Sequence, residues 1–549
     1  MLAILLLVFF VVPVGKLIWL SVQGQTGLTL AHYAEMLQQS RLWKTLNDTF
    51  VIVVGSSLIS VALGVSVAWL MAYTDIKHKP VLHMVTLLPF ILPSYVLTLS
   101  WSSFMGSQGL MAQLLHLFSP NVRPWSMYSY GGIVFVMGIH HFPLVYLLTV
   151  DVLKKIPRDL EWATRASGAG KWKMFRLVTP PLALPGLASG GLLAFLASLD
   201  NFGIPAFLGI PAHISVLSTL IYEEIIGFGP SAFARGAALS VMLGIIAVIG
   251  TSLQWSLVRK MKTSDTVAAD HSPRYALGKH RNLVTATLWA PLAFITVVPV
   301  GSMIAISLKR AYGSPFNLSN MTISNYTYIL LENPKVWQSI QNSLVLSVST
   351  VAICLGFGSL LAYVRVRRPS WWTKSAELAV ALPYTLPGIV FGLAMILAWM
   401  QPIPGWNPGI YGSIRILFIA YVCRFMILQV RAGIAAFAQI DPSMEEAAHI
   451  FGAGFRKKWL FVLLPPLLPG LLSGALLVFL TALTELTVSA LLWSTGSQTI
   501  GVTIFGFEQA GNTLYSTAIS SLIVLLIIAG MVLLHFVRKL ASRKGVQST

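Results

Sequence analysis

Long apolar segments alternate with short polar loops along the whole chain. Runs of about 20 apolar residues, the length that a helix needs to cross the hydrocarbon of a bilayer, recur twelve times. They lie near residues 1–22, 48–73, 81–105, 130–153, 184–208, 237–257, 283–308, 343–363, 378–401, 412–433, 466–493 and 517–537. The pattern predicts an all-α, polytopic membrane protein with about 12 transmembrane helices.

One polar and basic loop, residues 259–282, separates the first six spans from the last six. We interpret it as a cytoplasmic linker between a first half at 1–258 and a second half at 283–549. Each half contains an even number of spans, so both halves have the same orientation. They form a parallel repeat about an axis along the membrane normal.

A polar, basic cassette occurs once in each half. Residues 160–190 and 444–474 are identical at 14 of 31 aligned positions, including Gly168-Ala-Gly170 against Gly452-Ala-Gly454. The repeat extends further, because Leu88-Pro-Phe-Ile-Leu-Pro93 matches Leu382-Pro-Tyr-Thr-Leu-Pro387. The chain is therefore a duplicated unit, and its two homologous halves carry equivalent loops.

Each cassette has the pattern of a short helix, a tight turn and a second helix. Acidic residues lie in the predicted first turn, where the helix dipole favours them, and Gly-Ala-Gly then breaks the helix. A short basic helix follows, and prolines end it before the next span. Two matched loops, at 157–183 and 441–467, favour docking on a soluble partner. A basic helix that only touches lipid head groups is the alternative.

Composition and charge agree with a membrane protein. The chain is 56% hydrophobic and 10% charged, with a mean hydropathy of +0.76, whereas soluble domains carry about 25% charge. The net charge of +19 comes mainly from loops on one face, the bias typical of cytoplasmic loops, and does not indicate nucleic acid. This bias puts both termini in the cytoplasm. Residues 1–22 have no basic start or cleavage site and are interpreted as a retained span.

The second cassette carries the residues of a known motif. Glu446-Ala447-Ala448, then Gly452, then Val462 and Leu464-Pro465 resemble the EAA motif of importer-type ABC transporter permeases. In the first cassette Trp162-Ala163-Thr164 occupies the triplet, with Glu161 one place earlier. The resemblance implies a coupling helix that docks into an ATPase subunit. It assigns ATPase coupling to Glu161, Ala163, Gly168, Gly170, Glu446, Ala447, Ala448, Gly452 and Gly454.

The fused form with twelve spans resembles the ferric-iron type of these permeases. The stretches Ser198–Pro205, Thr484–Ser489 and Gly511-Asn-Thr513 carry this likeness. It implies a bacterial inner-membrane subunit that works with two copies of an ABC ATPase and an extracytoplasmic binding protein. Thiamine, polyamine and phosphonate permeases share the general plan, so these substrates stay open.

The chain itself is not expected to be an enzyme. It contains no GxxxxGK[ST] phosphate loop, no metalloprotease or nucleophile motif and no Cys/His metal pattern, so no catalytic residue, metal or cofactor is assigned. Cys354 and Cys423 lie in apolar segments and are predicted to be buried hydrophobes. Energy then comes from separate ATPase subunits or, as an alternative of another class, from an ion gradient.

Several polar residues lie within predicted spans, where charge is expensive and defaults to a functional hypothesis. Asp200, Asn201 and Glu485 fall in the fifth span of each half and are candidates for lining the pathway. A helix-end cap is the competing interpretation. His140 aligns with Arg424 in the fourth span of each half. These two could pair with the carboxylates, contact an anionic ligand on iron, or hold helices together.

Overall fold

A computed structural model describes residues 2–24, 27–119, 121–227, 229, 231–260, 270, 272–314, 317–400 and 409–546. Ten of the 24 residues of the predicted linker, 261–269 and 271, lie outside the described residues. Within the described part the chain is helical, and it contains isolated bridges but no strand. This confirms the all-α fold.

The helices up to the linker alternate between long spans and short connecting turns. They are α1 (Leu2–Leu6), α2 (Val12–Ser21), α3 (Ala31–Leu37), α4 (Ser40–Tyr73), α5 (Lys79–Ile91), α6 (Ser94–Met105), α7 (Leu110–His116), α8 (Tyr130–Lys155), α9 (Arg158–Ala166), α10 (Lys171–Asp200), α11 (Leu217–Ile226) and α12 (Ala232–Lys260).

The helices after the linker follow a similar order. They are α13 (Arg281–Ser307), α14 (Ser324–Thr327), α15 (Pro334–Ile353), α16 (Ser359–Arg367), α17 (Trp371–Thr385), α18 (Gly388–Trp399), α19 (Ile414–Ala438), α20 (Ser443–Ile450), α21 (Phe455–Lys457), α22 (Leu464–Leu483), α23 (Ser489–Leu492), α24 (Ile500–Gln509) and α25 (Thr513–Val546). Short π-helical segments join α1 to α2 (Leu7–Val11), α15 to α16 (Cys354–Gly358) and α21 to α22 (Lys458–Leu463).

The number of membrane spans depends on how bent helices are counted. In the described part of the chain, nine helices are long and apolar enough to cross a membrane, or twelve if each of three bent pairs is one span. The third span of each predicted half is one of these pairs. It bends by 99° where α5 meets α6 and by 108° where α17 meets α18.

The described residues divide into two compact units. The first, here called the N-half unit, comprises Tyr33–Ile226 and Met242–Asn325. Its centre is the packing of α4 and α10 against α8. Ser60 Oγ on α4 donates a 2.9 Å hydrogen bond to the carbonyl of Gly138 on α8. Such close approach over small residues is a usual way for membrane helices to pack.

The second, here called the C-half unit, comprises Met1–His32, Gly227–Val241 and Tyr326–Thr549. In it α19 packs against α22, α16 and α17. Cys354 and Cys423 are buried, free thiols of this unit, in agreement with their prediction as small hydrophobes.

Each unit contains a first helix from the other predicted half. Helix α2 packs on α18 in the C-half unit, where Lys16 Nζ donates to the Ala398 carbonyl at 3.1 Å. Helix α13 packs on α6 in the N-half unit, where Ser100 Oγ lies 3.4 Å from Met303 Sδ. The contact with Ala398 also gives the charge of Lys16 a partner inside an apolar segment.

Candidate functional site

The first cassette forms a short helix that ends in a tight turn. Helix α9 starts after Pro157, and Asp159 and Glu161 lie in its first turn, as predicted. Gly168 has a φ of 83°, in the left-handed region that glycine enters without steric penalty. Its N–H donates to the Arg165 carbonyl and the next N–H donates five residues back, the pattern of a Schellman turn.

The second cassette repeats this geometry in the C-half unit. Helix α20 carries Glu445 and Glu446 in its first turn. Gly452 has a φ of 71°, and its N–H donates to the His449 carbonyl at 3.0 Å. The predicted helix and glycine turn are therefore present in both copies.

The separate short helix predicted after each turn is wrong. In the first copy α10 runs without interruption from the basic stretch to Asp200, with a bend of 46° between Trp172–Leu184 and Gly186–Asp200. In the second copy α21 continues through a π-helical segment into α22. Proline removes one hydrogen bond and bends a helix, but the apolar sequence on either side continues it.

The aligned acids Glu161 and Glu445 are turned inward at the base of their helices. Glu161 is 7% exposed and forms an ion pair with Arg274. Glu445 lies 2.6 Å from Arg367 Nε and 3.1 Å from Lys458 Nζ. These carboxylates are occupied by partners within their own unit.

The outer faces of the two loops carry most of the predicted coupling residues. Exposed among them are Ala163, Gly168, Gly170, Glu446, Ala447, Gly452 and Gly454, whereas Glu161 and Ala448 are buried. The structure adds apolar side chains that the sequence prediction missed. Ile450 is 82% exposed and Phe451 is 88% exposed, just before the glycine turn. Exposed apolar groups beside a polar loop favour contact with a partner.

The contacts of Glu445 with Arg367 and Lys458 depend on the charged form of its carboxyl. Burial opposes its ionisation, but hydrogen bonds from Arg367 and Lys458 outweigh that effect and hold the pKa of its carboxyl below the usual range. A lowered folded-state pKa gives stability that is present above the unfolded pKa and is lost as pH falls through the folded one.

We therefore expect acid to loosen α20. Amide exchange over residues 443–450, corrected for its intrinsic pH dependence, is expected to speed up about tenfold once the pH is below the lowered pKa of the Glu445 carboxyl, since hydrogen bonds to charged groups contribute about 1.5–3 kcal/mol. Glu445→Gln is the control and should exchange fast at every pH. Equal pH profiles for both proteins would contradict the assignment.

Two of the three polar residues at the end of the fifth spans, Asn201 and Glu485, cap the turns that follow. Asp200 is the last residue of α10. Asn201 Oδ1 accepts the Ile204 N–H at 3.0 Å, and at the aligned position Glu485 Oε1 accepts the Val488 N–H at 2.7 Å. The contacts fit the helix-cap interpretation. A role in the pathway stays a prediction.

His140 and Arg424 occupy equivalent places at the two broken spans. His140 Nδ1 lies 2.7 Å from the Pro89 carbonyl, which acts as the acceptor. Arg424 Nη1 donates to the carbonyls of Pro383, at 3.4 Å, and Leu386, at 3.2 Å. Both basic side chains are buried. They bind the carbonyl groups at the breaks between α5 and α6 and between α17 and α18. In the described part of the chain, no group of three or more metal-ligating side chains occurs.

Comparison with known sequences decides the family. The profile of the "binding-protein-dependent transport system inner membrane component" matches twice, at residues 60–263 and 355–544. The chain belongs to this family. The permease is thus an inner-membrane subunit of a transport system that includes a substrate-binding protein, and the two matches cover both cassettes.

Similar proteins include two ferric transport permeases that match along most of the chain. The ferric transport system permease protein FbpB of Actinobacillus pleuropneumoniae is 26% identical over 550 residues, which cover 97% of the permease and 76% of that relative. A putative ferric transport system permease protein, FbpB 1 of Haemophilus influenzae, is 26% identical over 522 residues, which cover 93% of the permease and 80% of that relative. The molybdenum transport system permease protein ModB of Escherichia coli is 31% identical over 199 residues, covering 35% and 84%.

Proposed function

We propose that the permease forms the translocation pathway of an ATP-driven importer for ferric iron. Two ATPase subunits dock on the outer faces of α9 and α20, and a binding protein delivers iron to the opposite face. The observation that supports this proposal most directly is the pair of equivalent helix–glycine turns, one in each unit. The predominance of basic residues in these loops and in the linker supports a cytoplasmic location for them and for both termini.

The docking surface can be tested by copurification. In the double variant Gly452→Asp/Glu446→Arg we expect the solubilised permease to retain at least about tenfold less ATPase than wild type, because about 1.4 kcal/mol of contact suffices for that loss. Neither change touches the core, since no atom lies within 4 Å of an added Cβ at Gly452 and Glu446 is exposed.

The matched control makes the same two changes away from the cassettes. Gly412 has a φ of 74° and open space around it, and Glu332 is exposed. Gly412→Asp/Glu332→Arg should retain the ATPase. If the wild-type permease captures no ATPase at all, the importer assignment is wrong. Uptake driven by an ion gradient is then the hypothesis to test.

Ferric iron as the substrate rests on the fused relatives, which match over most of the permease. Uptake of labelled iron into vesicles that contain the permease, its ATPase and its binding protein is the direct test. Molybdate, thiamine, a polyamine and a phosphonate serve as competitors. Iron uptake that none of them inhibits supports the proposal, and ATP-driven uptake of a competitor in place of iron overturns it.

A further inference from the structure

The two inward-facing acids of the coupling loops have the same kind of anchor. Glu161 and Glu445 are aligned residues of the repeat. Each carboxylate is paired with one arginine, Arg274 in the N-half unit and Arg367 in the C-half unit. Both arginine side chains are largely buried, at 3% and 14% exposure.

Each anchoring arginine makes a second, equivalent bond. Arg274 Nη2 donates to the Ile156 carbonyl, and Arg367 Nη2 donates to the Ile440 carbonyl at 3.1 Å. Ile156 and Ile440 are aligned residues that directly precede the two loops. In each loop, one guanidinium therefore joins the acid of the short helix to the residue that precedes the loop.

The two arginines come from different parts of the sequence. Arg367 is the last residue of α16, at the end of the second span of its half. The spacing that aligns Leu88–Pro93 with Leu382–Pro387 puts Tyr73, the last residue of α4, at the position of Arg367. Tyrosine carries no guanidinium. Arg274 of the linker supplies that group in the first half, and it lies against Tyr73.

A short part of the linker holds Arg274 there. Residues 272–277, here called the linker strap, are bonded to the end of α4, since the N–H groups of Arg274 and Tyr275 both donate to the Tyr73 carbonyl at 2.9 Å. The Arg274 guanidinium also stacks over the Tyr73 ring, 4.3 Å from its centroid. Arg158, from α9, donates to the Ser272 carbonyl at 2.6 Å. The strap thus ties α9 to α4.

We propose that Arg274 and Arg367 are equivalent positioning residues for energy coupling, and that the linker supplies the first of them. Each arginine attaches the start of its short helix to the end of the second span, α4 or α16. A movement of the docked ATPase is then transmitted to the span instead of bending the loop. This inference rests on the proposed function. The linker then takes part in energy coupling in addition to connecting the two halves.

The anchor can be measured on the permease alone. Arg274→Met leaves the Glu161 carboxylate buried without its cation, which is strongly destabilising locally. Amide exchange over residues 157–166 is expected to accelerate at least about tenfold. Adding Glu161→Gln removes the stranded charge, so the double variant should exchange more slowly than Arg274→Met.

Arg281→Met is the matched control. It removes a cation near the same end of the linker, but its partner Asp75 is 3.6 Å away and the Arg281 side chain is 42% exposed, so exchange over 157–166 should not change. Arg274→Lys keeps the charge without the guanidinium fork and should be intermediate. Wild-type exchange rates in Arg274→Met would overturn the anchor.

The coupling role needs the complete transporter. With ATPase and binding protein in vesicles, Arg274→Met should bind the ATPase like wild type and hydrolyse ATP, yet move roughly fivefold less substrate per ATP. A purely structural role would reduce the amount of folded permease and leave that ratio unchanged, which would overturn the proposal. Arg367→Met should have the same effect.

The experiments distinguish a failure of the proposed function from a failure of the positioning role. If wild type neither binds an ATPase nor couples to one, the proposed function is wrong and the coupling role is overturned with it, even where the exchange experiment shows the anchor. If wild type couples and Arg274→Met keeps the wild-type ratio of substrate to ATP, only the positioning role is overturned.

Discussion

Gly64→Leu is expected to abolish the folded, monodisperse permease. Gly64 lies on α4 where this helix crosses α8, and an added Cβ would lie 2.7 Å from Val145 Cβ, 2.8 Å from the Phe142 carbonyl oxygen and 2.9 Å from Tyr146 N. Two of these atoms belong to the backbone and cannot rotate away. Overpacking usually costs 1–3 kcal/mol, and a clash with backbone puts this change at about 3 kcal/mol or more.

Size-exclusion chromatography of the solubilised protein and its thermal stability check this result. Gly244→Leu is the matched control, because Gly244 lies on the apolar helix α12 and has no atom within 4 Å of an added Cβ. It should behave like wild type, and Gly64→Ala should fall between the two. A Gly64→Leu protein as stable as wild type would show that α4 and α8 do not pack this closely.

The sequence was sufficient to predict the spans, the duplication and the two helix–glycine turns, since each leaves a local pattern. It could not predict which face of a span meets which neighbour. The apolar pattern gives the same signal for Gly64, at a tight crossing, and for Gly244, in open space. In lipid, apolar faces toward the bilayer and toward another helix are equally hydrophobic.

Long-range contacts explain the other omissions. By composition the basic residues of the linker look like ordinary loop charge, whereas Arg274 is an internal partner of Glu161. No spacing rule connects residues that lie 113 positions apart. The packing of α2 on α18 and of α13 on α6 was missed for the same reason, because sequence order alone groups each helix with its own half.

The broken third spans have a signal in the sequence beyond the repeat itself. Pro89 and Pro93 are four residues apart, as are Pro383 and Pro387. In a continuous helix the second residue of each pair would donate its N–H to the carbonyl of the first, but proline has none. The carbonyls of Pro89 and Pro383 therefore need donors from elsewhere, and His140 and Arg424 reach them.

Arg424→Met is accordingly expected to destabilise the C-half unit strongly. The change removes the donor to the Pro383 and Leu386 carbonyls, and an unpaired buried acceptor costs about 1–3 kcal/mol. Losing both bonds should therefore lower stability by about 2–5 kcal/mol. The melting temperature of the purified permease measures the loss, with the yield of monodisperse protein as a second readout.

The repeat itself provides the control for this prediction. Because a histidine holds the equivalent Pro89 carbonyl, Arg424→His should recover part of the stability by bonding to Pro383, while the shorter side chain leaves Leu386 without its donor. The expected order is wild type, then Arg424→His, then Arg424→Met. If methionine is tolerated as well as histidine, lost hydrogen bonding is not what matters at position 424. The charge of Arg424 would then be what matters, as expected of a residue that lines the pathway.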